Sequence, residues 1–247
     1  MLCRLSFFSL LISSVLLIAD AGAADQLRST GNVAAKVHQT TEVLYPPELA
    51  HSGITHGEAQ ILLAISAEGK VVDTVVAAYT HERFAHAALQ AIRKWRFEAP
   101  LIHGETVDAV IDIQVRFEVN KVLVVERIGI PAFQQSDAAD GFAYKPQSLR
   151  ALDAIPTPVH VVQPIYPKEW SAQGMHGKVT VDFYIDETGA VRMPSVLTLP
   201  EYPLLAASAV TAVREWRFAP PLCQGRPVLV HCQQVLTFEP DQTERKG

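Results

Sequence analysis

The chain repeats itself, and that repeat limits the possible folds more than any single motif. Lys94-Trp95-Arg96-Phe97-Glu98-Ala99-Pro100 returns as Glu215-Trp216-Arg217-Phe218-Ala219-Pro220-Pro221, 121 residues later. Tyr45-Pro46 returns as Tyr166-Pro167, Gly104 as Gly225 and Phe117 as Phe238 at the same offset, while Gly57/Gly177 and Gly69/Gly189 are 120 apart. A shared offset across landmarks of different residue type marks a duplicated structural unit. The 247 residues therefore hold two copies of one unit of about 80 residues.

Both copies carry the same order of patterns. After Gly177, Val179, Val181, Phe183 and Ile185 are apolar at every second position, and Ala59, Ile61, Leu63 and Ile65 repeat that phase. Such alternation predicts a half-buried strand, with Asp182 and Asp186 on its polar side. Ala67-Glu68-Gly69 and Glu187-Thr188-Gly189 predict hairpin turns, and Pro194 predicts an edge or a bulge in the return strand. Phe84, Ala88, Ile92 and Trp95 then fall on one face of a helix, as do Leu205, Ala209, Val213 and Trp216. Trp95, Phe97, Trp216 and Phe218 are the expected core anchors. A final strand runs to Phe117 in the first copy; in the second it is Val228–Phe238. The expected class is α+β: two tandem small domains, each a helix packed on a short antiparallel sheet.

The N-terminus has the pattern of an export signal. One arginine precedes the apolar run Leu5–Ala19, and Ala21-Gly22-Ala23 offers a small-x-small cleavage site. The run is short for a hydrocarbon core ~30 Å thick, so cleavage is expected, with an uncleaved inner-membrane anchor as the alternative. The expected boundaries are 1–24 for the signal, 25–41 for an N-terminal extension and 42–120 for the first domain. A linker over 121–158 follows, apolar at Val122–Val125, then the second domain over 159–240 and a tail over 241–247.

Composition narrows the chemistry. With 21 Lys+Arg against 26 Asp+Glu and a net charge of −5, no basic face for nucleic acid is expected. His81 and His86 are five apart, not the four that would aim both at one metal from a helix, so they are read as solvated. Nucleophile-elbow, phosphate-loop and Cys-x-x-Cys patterns do not occur, so no catalytic residue, metal or small-molecule cofactor is expected. A tight turn at Gly225 places Cys223 opposite roughly Pro227. Cys232 then lies about 17 Å further along the strand, beyond the ~7 Å a disulfide tolerates, so two free thiols are expected.

Taken together, Tyr166-Pro167, Gly174, Gly177-Lys178-Val179, Phe183, Ile185-Asp186, Gly189, Val191, Val213-Arg214, Trp216-Arg217-Phe218, Pro220, Gly225, Pro227-Val228 and Phe238 resemble the TonB C-terminal domain family. The span from Tyr45 to Phe117 is similar, though more degenerate. The resemblance implies a periplasmic protein that binds extended peptides of outer-membrane transporters, or of other envelope proteins, by pairing a strand with them. Family members often carry Gln-Pro-x-Tyr-Pro where they contact receptors, and Gln163-Pro164-Ile165-Tyr166-Pro167 matches it. By strand addition, the other candidate partner-binding positions are Leu229, His231, Gln233 and Val235, the outward phase of the last strand. A force-transmitting member needs an anchor and a long spacer. Residues 26–41 reach only about 50 Å when extended. The alternative expectation is therefore a non-energised structural or assembly adaptor of the envelope, with dimerisation left open.

Overall fold

A computed structural model describes residues 36–99, 101–102, 104–119, 121–127, 141–166, 170, 176–196 and 203–239. The expected signal peptide, Pro167, Gly174 and the C-terminal tail lie outside the described residues, as does the middle of the expected linker.

In the first copy, β1 (Lys36–Gln39) and the short helix α1 (Pro47–His51) lead into β2 (His56–Ile65), β3 (Val71–Tyr79) and helix α2 (Glu82–Ile92). After these come β4 (Arg96–Glu98), a small hairpin of β5 (Leu101–Ile102) and β6 (Glu105–Thr106), then β7 (Ala109–Glu118) and β8 (Lys121–Arg127). The main sheet is antiparallel in the order β3-β2-β7-β8. β8 is thus a fourth strand built from the first seven residues of the expected linker.

The second copy repeats the plan with β9 (Pro158–His160), β10 (Gly177–Ile185), β11 (Val191–Val196) and helix α3 (Pro203–Arg214). β12 (Arg217–Phe218), the hairpin β13 (Leu222–Cys223) and β14 (Arg226–Pro227), and β15 (Val230–Phe238) complete it. Its sheet has three antiparallel strands, β11-β10-β15. The fold is α+β, as the periodicities predict. In β13–β14, Cys223 pairs with Arg226 and Leu222 with Pro227, one residue tighter than expected. Gln224 and Gly225 both take positive φ, 52° and 73°, as a two-residue hairpin turn requires.

Helix and sheet meet as the apolar stripes dictate. Phe84, Ala88, Ile92 and Trp95 pack on Ile61, Leu63 and Ile65. Leu205, Ala209, Val213 and Trp216 pack on Val181, Phe183 and Ile185. Each tryptophan also closes its copy with one hydrogen bond, Trp95 Nε1 donating to Thr41 O at 2.9 Å and Trp216 Nε1 to Val162 O at 2.8 Å. The hairpin glycines sit under the strand that follows the helix. Phe97 N donates to Gly69 O and Phe218 N to Gly189 O, and a Cβ on either glycine would come within 2.0 Å of a phenylalanine carbonyl.

The opposite faces of the two sheets are partly buried, with Lys178, Gln233 and Val235 of the second left exposed. They pack on each other through a third core of Leu62, Val75 and Ala77 from the first copy and Tyr184, Met193 and Leu229 from the second. The layer order is helix, sheet, sheet, helix. Asp182, expected on a polar face, is 1% exposed in this junction. A bulge in β11 beside Pro194 holds Met193 at φ 52° and turns it into the shared core.

Residues 141–153 strap the copies together. Tyr144 bridges to Tyr79 through the backbone (Tyr79 N to Tyr144 O, 3.0 Å) and stacks on its ring at 5.1 Å. Its hydroxyl donates to Glu187 of the second copy. Further on, Gln147 N donates to Leu229 O at 2.8 Å, and the Asp153 carboxylate accepts the Gln224 and Gly225 amides at 2.8 Å each.

Candidate partner-binding site

β15 pairs with β10 along its whole length, Val230 opposite Ile185 through Phe238 opposite Gly177. On its other side the one backbone bridge among the described residues runs from Gln147 to Val230. From His231 to Phe238 that side has no ladder partner among the described residues. The alternating amides and carbonyls there form a ready template for another strand. The equivalent side of β7 is occupied: β8 pairs with Asp112 through Glu118.

Two of the four strand positions expected to face a partner are taken by the junction of the copies. Leu229 is 1% exposed in the third core, which corrects its reading as an outward contact. His231 is half-buried, with Nε2 2.7 Å from Asp182 Oδ1 and its ring 4.9 Å from that of Tyr184. This pair gives the buried Asp182 side chain a hydrogen-bonding partner, as a buried polar group requires. Gln233 and Val235 stay exposed on the open edge, Val235 at 50%, with Gln234 and Thr237 exposed beside them. Neither lysine nor proline blunts this stretch.

The Gln163–Tyr166 segment reaches the second copy's core through Tyr166. Tyr166 meets Phe238, the last residue of β15, edge to face at 5.9 Å. Ser208 Oγ of α3 donates to Ile165 O at 2.6 Å, so the segment is fixed through its backbone. Gln163 and Ile165 are exposed, Ile165 at 81%, and Pro164 is half-buried. Gln233 and Val235 line the open edge, Tyr166 packs on the helix-side core at the edge's last residue, and Leu229 and His231 belong to the support behind it. Arg192, Tyr144 and Asp153 hold that support and were not singled out in the sequence; their only signal is polar residues lying among apolar ones.

Among the described residues no group of three His, Cys, Asp or Glu side chains is placed to hold a metal ion. His81 instead caps α2, its Nδ1 accepting from Arg83 N at 3.2 Å. Cys223 and Cys232 are free, and burial pushes the Cys232 thiol up to about 12, far from the range of a reactive thiolate. Among the described residues no helix is long and apolar enough to cross a membrane. What the edge offers is backbone hydrogen bonding and a mixed polar–apolar rim.

Residues 41–119 and 162–240 each match the family described as Gram-negative bacterial TonB protein C-terminal. Two curated proteins named Protein TonB, from two strains of Xanthomonas campestris pv. campestris, are each 30% identical over 77 residues, 31% of this chain and 34% of theirs. The chain thus spans about a third of the length of these curated relatives. The solution NMR structure of the Pseudomonas aeruginosa TonB C-terminal domain is 27% identical with a TM-score of 0.32, covering 38% of this chain and 92% of that domain. TonB2 of Vibrio anguillarum is 24% identical with a TM-score of 0.29, covering 35% and 82%.

Proposed function

The chain belongs to the TonB C-terminal family, and on that premise we propose that it is a non-catalytic, TonB-type protein of the cell envelope whose second copy captures extended segments of partner proteins along β15. The partners are outer-membrane transporters or other envelope proteins reached from the periplasm. The observation that carries this reading is the contrast between the two last strands: β7 has neighbours on both sides, whereas β15 is open from His231 to Phe238 among the described residues. An incoming strand gains affinity from backbone hydrogen bonds along that edge and selectivity from side chains beside Gln233 and Val235.

Proline at Gln234 and, separately, at Val235 tests the reading in the full chain. Consecutive amides of a strand point to opposite sides, so one of the two prolines removes a bond to β10 and the other removes an open amide. The open-side variant should keep its melting transition and lose capture of synthetic peptides taken from the periplasmic segments of outer-membrane transporters. Full capture by that folded variant would exclude the edge as the binding site.

A further inference from the structure

We infer that β8 fills, in the first copy, the place a partner strand takes in the second, so that the last strand of the repeated unit is open to capture in one copy and not in both. This rests on β15 being the capture edge and adds to that reading the closure of the matching edge in the first copy.

The correspondence of the two edges is set by register. Phe117 of β7 lies opposite Gly57 of β2, and Phe238 of β15 lies opposite Gly177 of β10, which are the repeat's own matched residues. In both copies the last strand flanks the first strand of the hairpin, and its outer side faces away from the rest of the sheet. On β7 that outer side carries β8, antiparallel, over seven pairs from Asp112–Arg127 to Glu118–Lys121. On β15 the same positions have no strand beside them among the described residues.

The cap on β7 is local and anchored. Only residues 119 and 120 separate the two strands, so β8 acts as an intramolecular ligand. A tethered strand of this kind has an effective concentration in the millimolar range or above, which a free peptide must exceed to displace it. Val122, paired with Phe117, packs against the first copy's core. With its own edge closed, the first copy acts as the base that buries the back of the second sheet, including Tyr184, Met193 and Leu229.

The test uses the full chain with residues 121–127 replaced by an equal number of glycines and serines. The probe is the labelled synthetic heptapeptide of residues 121–127, titrated by fluorescence anisotropy and calorimetry. The replaced chain should bind one more equivalent of heptapeptide than the unmodified chain. No additional equivalent in a variant that retains its melting transition would overturn the inference. Should the variant not fold, hydrogen exchange on the unmodified chain decides. The β7 amides facing β8 should then be protected like those of β2, and exchange as fast as at the open side of β15 would overturn it. Failure of the capture edge itself reads out elsewhere, as no transporter-peptide binding by the unmodified chain, so the two failures are distinguishable.

Discussion

Arg192 of the second copy donates from Nε to Asp73 Oδ2 of the first at 3.0 Å, and its Nη2 bonds both Asp73 Oδ1 and the Thr74 carbonyl. The same guanidinium reaches Asp186 Oδ2 at 3.4 Å, the carboxylate that organises the β10–β11 turn through Thr188 and Ala190. One planar side chain thus sets the turn of one copy against the return strand of the other. Both partners keep about a third of their side-chain exposure, 30% for Arg192 and 37% for Asp73, so solvent screens the pair.

Arg192→Ala should lower full-chain stability by about 1 kcal/mol, with less effect in high salt. Lysine should not restore the loss, because it cannot reproduce a two-pronged contact. Urea midpoints for Arg192→Ala, Asp73→Asn and the double variant measure the coupling, and a coupling near zero would remove the pair as a link between copies.

Trp216→Ala should cost on the order of 3–5 kcal/mol, since it empties the largest site under α3. Trp216→Phe keeps most of the burial but drops the bond to Val162 O, so a loss of about 1–2 kcal/mol is expected. It should also loosen residues 158–166, seen as faster proteolysis there than in Trp216's parent chain at equal temperature.

Leu229→Ala should destabilise both copies, by about 2–5 kcal/mol, although the residue lies in the second one alone. For the same reason a fragment beginning at Ile155 should melt below the second copy in the full chain, having lost the Asp153 cap and the cover over Tyr184. Calorimetry on the full chain and the fragment checks this; equal transitions would make the third core energetically idle.

Burial raises the hydroxyls of Tyr144 and Tyr184 above the ordinary tyrosine value, with Glu187 adding to the effect at Tyr144 and Asp182 and Asp112 at Tyr184. A group whose folded value is raised contributes stability that is whole below the unfolded value, about 10 for tyrosine, and is lost as pH climbs above it. Alkaline unfolding should begin near that point, and the double variant Tyr144→Phe/Tyr184→Phe should move it to higher pH. Tryptophan fluorescence against pH reads the midpoint, and an unmoved midpoint would assign the alkaline transition to other groups.

The helix stripes, the hairpins and the duplicated unit were legible because each element buries one face at its own period. Ile61, Leu63 and Ile65 alternate in the phase that meets α2, and Trp95 and Trp216 close their stripes. The junction of the copies was not legible, because its residues imitate a solvent face. Leu62 is flanked in phase by Gln60, whose Nε2 donates to the buried Asp112 Oδ2 at 2.7 Å, and Tyr184 by Asp182, which is paired with His231. Buried polar groups that satisfy one another read in a sequence like exposed ones, so alternation alone turns Leu229 and His231 outward. Met193 was hidden for another reason: its direction depends on a bulge that alternation does not encode.

The shared core also bears on how such a chain changes over generations. Once two equal units have exchanged water for each other along Leu62, Val75, Met193 and Leu229, neither can be deleted without exposing an apolar patch on the survivor. A reversal would need several polar substitutions on the orphaned sheet before the deletion became tolerable. The constraint does not reach the stretch before Tyr45, where the first copy has Glu42 and Val43 in the places of Gln163 and Pro164. The doubling works as a ratchet: each copy's sequence is held by its neighbour, whichever of them keeps the original task.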